Sequence, residues 1–148
     1  MSELDDLVDR AAIHDVLLRY ARGVDRGDLD MVAGCFVPGA SYEGALGRGT
    51  IEGALASLRG AMARYAGTMH FIGNHVIELD GDGARSEAYA LAYHRLRDDP
   101  GRLFVVAVRY EDHFVRRVKR WLIARRTVVT EWSRYDMVTP SSSGPERD

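Results

Sequence analysis

The feature of this sequence that most constrains its fold is a change of hydrophobic periodicity near Gly67. Before that point, apolar residues recur at helical spacing in two segments, Ile13, Val16, Leu17, Tyr20 and Val24, and later Ile51, Leu55, Leu58, Met62 and Tyr65. After it, the pattern is typical of β-strands over residues 69–79, 84–96, 103–115 and 121–132, with turns at 80–83 and 98–101. Helices followed by antiparallel strands predict an α+β fold. Three N-terminal helices packed on a curved, mostly antiparallel sheet would form a cone-shaped barrel whose open mouth suits a small ligand.

The helical segments carry recognisable start and stop signals. The first helix is predicted over residues 2–22, because Ser2 and Asp5 resemble a capping box and Gly23 offers a natural stop. Asp28 is predicted to cap a second, short helix that runs to about Phe36 and is ended by Pro38 and Gly39, and residues 51–65 are predicted to form the third. Residues 40–44 are predicted to form a short strand, followed by a glycine-rich loop.

Length and composition favour one globular domain over residues 1–137, followed by a disordered tail over 138–148 that is rich in Ser, Pro and Gly. The formal net charge of −2 gives no attraction to nucleic acid or to an anionic membrane. No segment approaches the about 18 apolar residues of a membrane span, and the N-terminus lacks the pattern of a signal peptide. We therefore expect a cytoplasmic protein.

Cofactor and metal motifs are absent from the sequence. Cys35 is the only cysteine, which excludes an intrachain disulfide, and its apolar neighbours favour a buried, inert thiol. There is no glycine-rich nucleotide motif, and no set of residues has the spacing of a zinc site. The sequence thus predicts neither a cofactor nor a metal.

His70 is the first candidate for chemistry. It lies among apolar residues at the start of a predicted strand, where a core histidine bonded to a backbone carbonyl is the structural alternative. Asp25 has no evident local role, since Asp28 is better placed as the helix cap. Tyr20 and Asp25 would lie about 140° apart on a continuous helix, so they converge only if the helix ends near Gly23.

Other candidates lie on the later strands. His94 shares a strand face with Ala88, Ala90 and Ala92, whose small side chains would leave space in front of the sheet. Strict alternation places Arg126, Val128, Thr130 and Trp132 on one face; Arg126 could be a rim charge or a structural group paired with Glu111, Asp112 or Glu131. Tyr42 and Tyr110 are possible hydroxyl donors. His14 and His113 are interpreted as surface residues, and His75 has no functional context.

Three runs together resemble the SnoaL-like branch of the nuclear-transport-factor-2-like superfamily. They are residues 11–25 (AAIHDVLLRYARGVD), 69–74 (MHFIGN) and 121–126 (WLIARR). The resemblance implies the cone-shaped α+β barrel, a homodimer or homotrimer, and an aspartate–histidine pair at Asp25 and His70. It also implies a role for Tyr20, which matches a tyrosine of the bile-acid dehydratase relative. Departures from that relative fall near Ala92 and Thr130, so the surroundings of the pair differ.

The resulting hypothesis is a cofactor-free lyase, dehydratase-like, or an isomerase. Its substrate would be a small apolar molecule that is steroid-, polyketide- or aromatic-like. Asp25 would orient His70 as the base, and Tyr20 would polarise the substrate oxygen. Tyr42, His94, Arg126 and Trp132 would contact the substrate. Two alternatives remain: a non-catalytic ligand-binding module, in which the pair is structural, and an accessory subunit of a ring-hydroxylating oxygenase.

Overall fold

The computed structural model describes residues 2–141 and has three helices, α1 (Glu3–Arg26), α2 (Leu29–Ala33) and α3 (Ile51–Met62). The predicted capping box is confirmed, with Ser2 and Asp5 bonding reciprocally at the start of α1. Asp28 caps α2 as predicted, by accepting a hydrogen bond from the backbone N–H of Met31, but the helix ends at Ala33 and not near Phe36.

The predicted end of α1 at Gly23 is wrong. The helix continues to Arg26 and stops at Gly27, which has a left-handed conformation with φ of 68°. Gly23 serves close packing instead, because a Cβ there would lie 2.9 Å from Cγ2 of Val32 in α2 and 3.1 Å from its backbone nitrogen. Gly23 therefore marks the contact between α1 and α2 and not the end of α1.

Six strands follow, β1 (Phe36–Gly44), β2 (Gly47–Thr50), β3 (Tyr65–Asp80), β4 (Gly83–Leu96), β5 (Arg102–Arg117) and β6 (Arg120–Met137). They form one sheet in the order β2-β1-β6-β5-β4-β3, and every neighbouring pair is antiparallel except β1 with β6. The predicted α+β fold, with helices packed on a curved, mostly antiparallel sheet, is confirmed. The glycine-rich segment predicted as a loop contains β2.

Helix α1 covers the free edge of β3. Arg10 donates to the backbone carbonyl of Ile77, and Asp25 accepts the backbone N–H of His70 at 2.9 Å. These side chains satisfy main-chain groups that an edge strand otherwise leaves open to pairing. The same seam between α1 and β3 therefore positions His70.

Two bulges in β6 change which residues face inward. Val108 pairs with Thr130 and Ala107 with Trp132, so Glu131 is an extra residue. Phe114 pairs with Ile123 and His113 with Arg125, which makes Ala124 a second extra residue. The predicted strict alternation of inward-facing and outward-facing residues along β6 is therefore wrong at Ala124 and at Glu131.

The core lies between α1, α3 and the inner face of the sheet. Its largest fully buried apolar residues are Phe114, Ile13, Leu17, Ile123, Val16 and Val32. Within residues 2–141, no helix is both long and apolar enough to cross a membrane. Of the tail predicted to be disordered, residues 142–148 lie outside the described residues.

Candidate active site

A cavity of about 260 Å³ opens between the helices and the inner face of the sheet. Tyr20 and Val24 of α1 line one wall, and Leu58, Ala61 and Met62 of α3 line another. The sheet and the adjoining turns contribute Tyr42, Ala45, Leu46, Arg64, Tyr65, Thr68, His70, Ala92, His94, Phe104, Val106, Val108, Tyr110, Val128 and Thr130. The cavity is mostly apolar, with a few polar groups that converge on it, as in many ligand sites.

Asp25 and His70 form the expected contact. Nδ1 of His70 lies 2.7 Å from Oδ1 of Asp25, and the backbone N–H of His70 donates to Oδ2 at 2.9 Å. The hydroxyl of Thr68 donates to Oδ1, also at 2.9 Å. The side chain of His70 is 8% exposed and that of Asp25 is 23% exposed. The carboxylate therefore fixes both the ring and the backbone of His70.

The donors around Asp25 keep it ionised. Burial raises the pKa of this carboxyl, but hydrogen bonds from the side chain and backbone of His70 and from Thr68 outweigh burial and lower the pKa. Asp25 also lies in the last turn of α1, where the helix dipole disfavours negative charge. Because an ionised carboxylate only accepts hydrogen bonds, Nδ1 of His70 carries the proton that the pair shares, and Nε2 is the ring nitrogen that Asp25 does not engage.

Asp25 does not face Tyr20. The expected convergence of these two residues required α1 to end near Gly23, and the helix continues past that point. Asp25 borders a shallow depression outside the cavity, together with Leu18, whereas Tyr20 lines the cavity itself. His70 borders both spaces, so its ring connects the half-buried carboxylate of Asp25 to the cavity.

His94 lies beside His70 in the cavity wall. Its cross-strand partner is Thr68, its ring centroid is 5.9 Å from that of His70, and its Nδ1 lies 3.0 Å from the carbonyl oxygen of Phe104. A carbonyl oxygen only accepts hydrogen bonds, so Nδ1 of His94 carries a proton and donates it to this contact. Burial lowers the pKa of His94, which favours the neutral ring.

Three buried tyrosines line the inner part of the cavity: Tyr20, Tyr42 and Tyr110. Burial raises the pKa of each, most clearly for Tyr42 and Tyr110. All three are therefore neutral at ordinary pH and can act as hydroxyl donors. The ring of Tyr42 lies over Gly44, where a Cβ would be 2.9 Å from the tyrosine hydroxyl.

Arg126 does not line the cavity, contrary to the predicted substrate contact. It is fully buried and forms a bidentate ion pair with Asp112, in which Nε donates to Oδ1 at 2.8 Å and Nη2 donates to Oδ2 at 2.7 Å. Its guanidinium carbon lies 4.3 Å from the ring centroid of Tyr20 and 4.2 Å from that of Tyr110. Arg126 is therefore a structural residue paired with Asp112, which is one of the alternatives that the sequence offers. Its guanidinium packs against the rings of Tyr20 and Tyr110.

Trp132, for which the sequence also predicts a substrate contact, does not line the cavity. The bulge at Glu131 turns Trp132 to the outer face, where its side chain borders a groove with Tyr89 and Arg109 and is 47% exposed. Thr130, before the bulge, faces the cavity as alternation predicted.

His14 is not a plain surface residue. It is half-buried, and its Nδ1 lies 2.9 Å from Nδ1 of His75 across the seam between α1 and β3. Nε2 of His75 is buried without a hydrogen-bond partner among the described residues. His113 is exposed, as predicted.

Sequence reasoning missed Thr68, Arg64 and Tyr65 as members of the site. Thr68 could have been found, because it lies two residues before His70 on the same strand face. Arg64 and Tyr65 follow the end of α3, and no local pattern shows that this connection borders the cavity. Within the described part of the chain, no group of three or more His, Cys, Asp or Glu side chains could hold a metal ion.

Comparisons with known proteins identify the family of this domain. The model of the SnoaL-like domain matches residues 5–127. A Mycobacterium tuberculosis protein named as uncharacterised protein Rv2910c is 26% identical over 130 residues, which are 85% of this chain and 88% of that protein.

Two solved structures show the same fold. A type 2 hexachlorocyclohexane dehydrochlorinase, LinA, superposes with a TM-score of 0.82 at 22% identity over 98% of this chain and 99% of that one. A candidate scytalone dehydratase from Novosphingobium aromaticivorans gives a TM-score of 0.79 at 21% identity over 94% and 97%. Since the family model extends from the first turn of α1 into β6, the chain belongs to the SnoaL-like domain family.

Proposed function

We propose that this protein is a cofactor-free lyase, dehydratase-like, or an isomerase, and that His70 is its general base. The observation that carries the proposal is the Asp25–His70 pair at the wall of a mostly apolar cavity. The dehydrochlorinase and the candidate dehydratase that share the fold are consistent with elimination chemistry.

The Asp25–His70 pair supplies a base whose tautomer is fixed. Asp25 holds the proton on Nδ1 of His70, so Nε2 can abstract a proton from a carbon next to a carbonyl. The imidazolium that forms is stabilised by the adjacent carboxylate. A base positioned in this way contributes about 10²–10⁴-fold to a rate.

The neutral tyrosines supply the complementary acid groups. Tyr20 and Tyr42 line the cavity with hydroxyls that stay protonated, and they would donate to the substrate oxygen as negative charge develops there. If the adjacent carbon carries a hydroxyl group, that group accepts from Nε2 of His70 the proton that was abstracted and leaves as water, and an alkene remains. If the abstracted proton returns to another carbon, the product is an isomer.

The cavity limits the size of the substrate. An engineered cavity of about 150 Å³ accommodates benzene, and this cavity has a volume of about 260 Å³. A molecule with one or two rings fits that volume better than a four-ring steroid. We therefore favour an aromatic-like or small polyketide-like substrate over a steroid.

Exchange of carbon-bound hydrogen for deuterium in candidate substrates tests the proposal without knowledge of the leaving group. One- and two-ring ketones and β-hydroxy carbonyl compounds would be incubated with the protein in D2O, and exchange and elimination would be followed by NMR and mass spectrometry. We expect His70→Gln to reduce the rate by about 10²-fold or more, and Asp25→Asn to reduce it as well. His113→Gln, at an exposed site, is the matched control and should retain the rate.

The same experiment separates the proposal from its main alternative. Wild-type rates in a folded His70→Gln variant would contradict the assignment of the base. Ligands that bind without exchange or elimination would support a ligand-binding module, in which the Asp25–His70 pair is structural.

A further inference from the structure

We infer that the substrate carries a carboxylate, which Arg64 binds at the mouth of the cavity while the apolar body lies inside. This inference rests on the proposed function for the identity of the site as a substrate site, but its test is a binding measurement that needs no turnover.

The first argument is the distribution of charge around the cavity. Among the described residues that line it, Arg64 is the one with a permanent charge. The other polar lining groups are hydroxyls and the imidazoles of His70 and His94. Arg64 has no ion pair with any described carboxylate, and its guanidinium lies 5.9 Å from the ring centroid of Tyr65. An exposed guanidinium at an apolar opening is suited to a ligand oxyanion.

The second argument is the rigidity of the segment that carries Arg64. Three consecutive carbonyl groups, those of residues 63–65, accept hydrogen bonds from Arg97. Its side chain donates to Ala63 at 3.1 Å and to Tyr65 at 2.9 Å, and its backbone N–H donates to Arg64 at 3.0 Å. The connection between α3 and β3 is thereby fixed at the mouth. A fixed backbone reduces the entropy lost when Arg64 binds a ligand.

The third argument is orientation. Asp25 places a negative charge behind His70, outside the cavity, and among the described residues that line the cavity none besides Arg64 carries a permanent positive charge. Arg126 is buried and already paired with Asp112. A carboxylate deep in the cavity would be desolvated and repelled, whereas at Arg64 it stays at the solvent boundary. The anionic group therefore directs the rest of the molecule toward His70.

The test compares two ligands of nearly the same shape, 1-naphthoate and its neutral amide 1-naphthamide, by isothermal titration calorimetry with the full-length protein. We expect the wild type to bind the carboxylate about 10-fold more tightly, the lower range for a hydrogen bond to a charged group. The preference should shrink at high salt because the guanidinium is exposed.

Two variants assign the effect to Arg64. Arg64→Gln should bind both ligands with equal affinity, mainly by losing affinity for the carboxylate. Arg59→Gln removes the same charge from the exposed part of α3, outside the cavity lining, and should keep the preference.

Three results would overturn the inference: equal binding of both ligands by the wild type, an unchanged preference in Arg64→Gln, or no binding of either ligand at millimolar concentration. The outcome is independent of the chemistry at His70. A His70→Gln variant that has lost turnover should still prefer the carboxylate, so failure of the proposed function and failure of this inference are distinguishable.

Discussion

The contact between His14 and His75 predicts that this protein loses stability in mild acid. Burial, the adjacent ring of His14 and the positive charge of Arg126 together lower the pKa of His75 from 6.5 to about 4. In the unfolded chain the same imidazole takes up a proton near pH 6.5. The unfolded state therefore binds more protons than the folded state between these two values. The stability that comes from the neutral ring is complete above pH 6.5 and is lost as the pH falls toward 4.

The size of the loss follows from the shift. Each unit of pKa difference corresponds to about 1.4 kcal/mol, so the full interval corresponds to about 3 kcal/mol at most. His75 is only half-buried, and water screens part of the effect. We therefore expect a loss of about 1–2 kcal/mol in the free energy of unfolding between pH 7 and pH 5. Paired carboxylates such as Asp9 and Asp25, whose ordinary pKa is 3.8, contribute at lower pH.

Urea unfolding followed by circular dichroism at half-unit steps of pH measures this loss directly. The variant His75→Gln cannot titrate, so its free energy of unfolding should fall less steeply over the same interval, whatever its stability at pH 7. His113→Gln, which removes an exposed histidine, should follow the wild type. Burial also lowers the pKa of His94, which contributes to the remaining slope. Equal slopes for the wild type and His75→Gln would refute the reasoning.

Further predictions concern packing and buried charge. Gly23→Ala should destabilise the protein by about 1–3 kcal/mol, because the new methyl group overlaps Val32. Gly60→Ala, in a helix with open space around it, should instead stabilise by about 0.4–1 kcal/mol; the same sign for both changes in chemical denaturation would contradict the packing argument. Arg126→Met should cost about 3–5 kcal/mol by leaving Asp112 charged and unpaired, and the double variant with Asp112→Leu should recover part of that loss. A double variant no more stable than Arg126→Met would show that the isolated charge is not the cause.

The fold was predictable because its determinants are local. The change of periodicity near Gly67 separates helices from strands, and the turn at 80–83 fixes the hairpin between β3 and β4. The end of α1 was not predictable from Gly23. That residue must be small because it contacts α2, and no local sequence pattern shows this contact. Short sequence signals specify an element, whereas its length depends on what packs against it.

For the site, alternation predicted the inward-facing residues of β4 and failed in β6, which has two bulges. His94 was placed on the correct face because β4 pairs with β5 without interruption. In β6, the extra residues Ala124 and Glu131 shift the alternation twice, which sends Trp132 outward and keeps Arg126 inward. A bulge adds one residue without a strong sequence signal, so the face of every later residue in the strand is undetermined until the pairing is known.

The position of Asp25 links the stability of the fold to its chemistry. The carboxylate accepts the main-chain N–H of an edge strand and also fixes the imidazole of His70, so one side chain closes the edge and sets the proton position. His14 and His75 lie on the same seam, farther from the C-terminus of α1. A change at those histidines that loosens α1 from β3 would also disturb Asp25 without touching the cavity. Activity that falls in mild acid together with the free energy of unfolding would therefore reflect the seam, whereas activity that falls while stability is retained would show that the seam is not the cause.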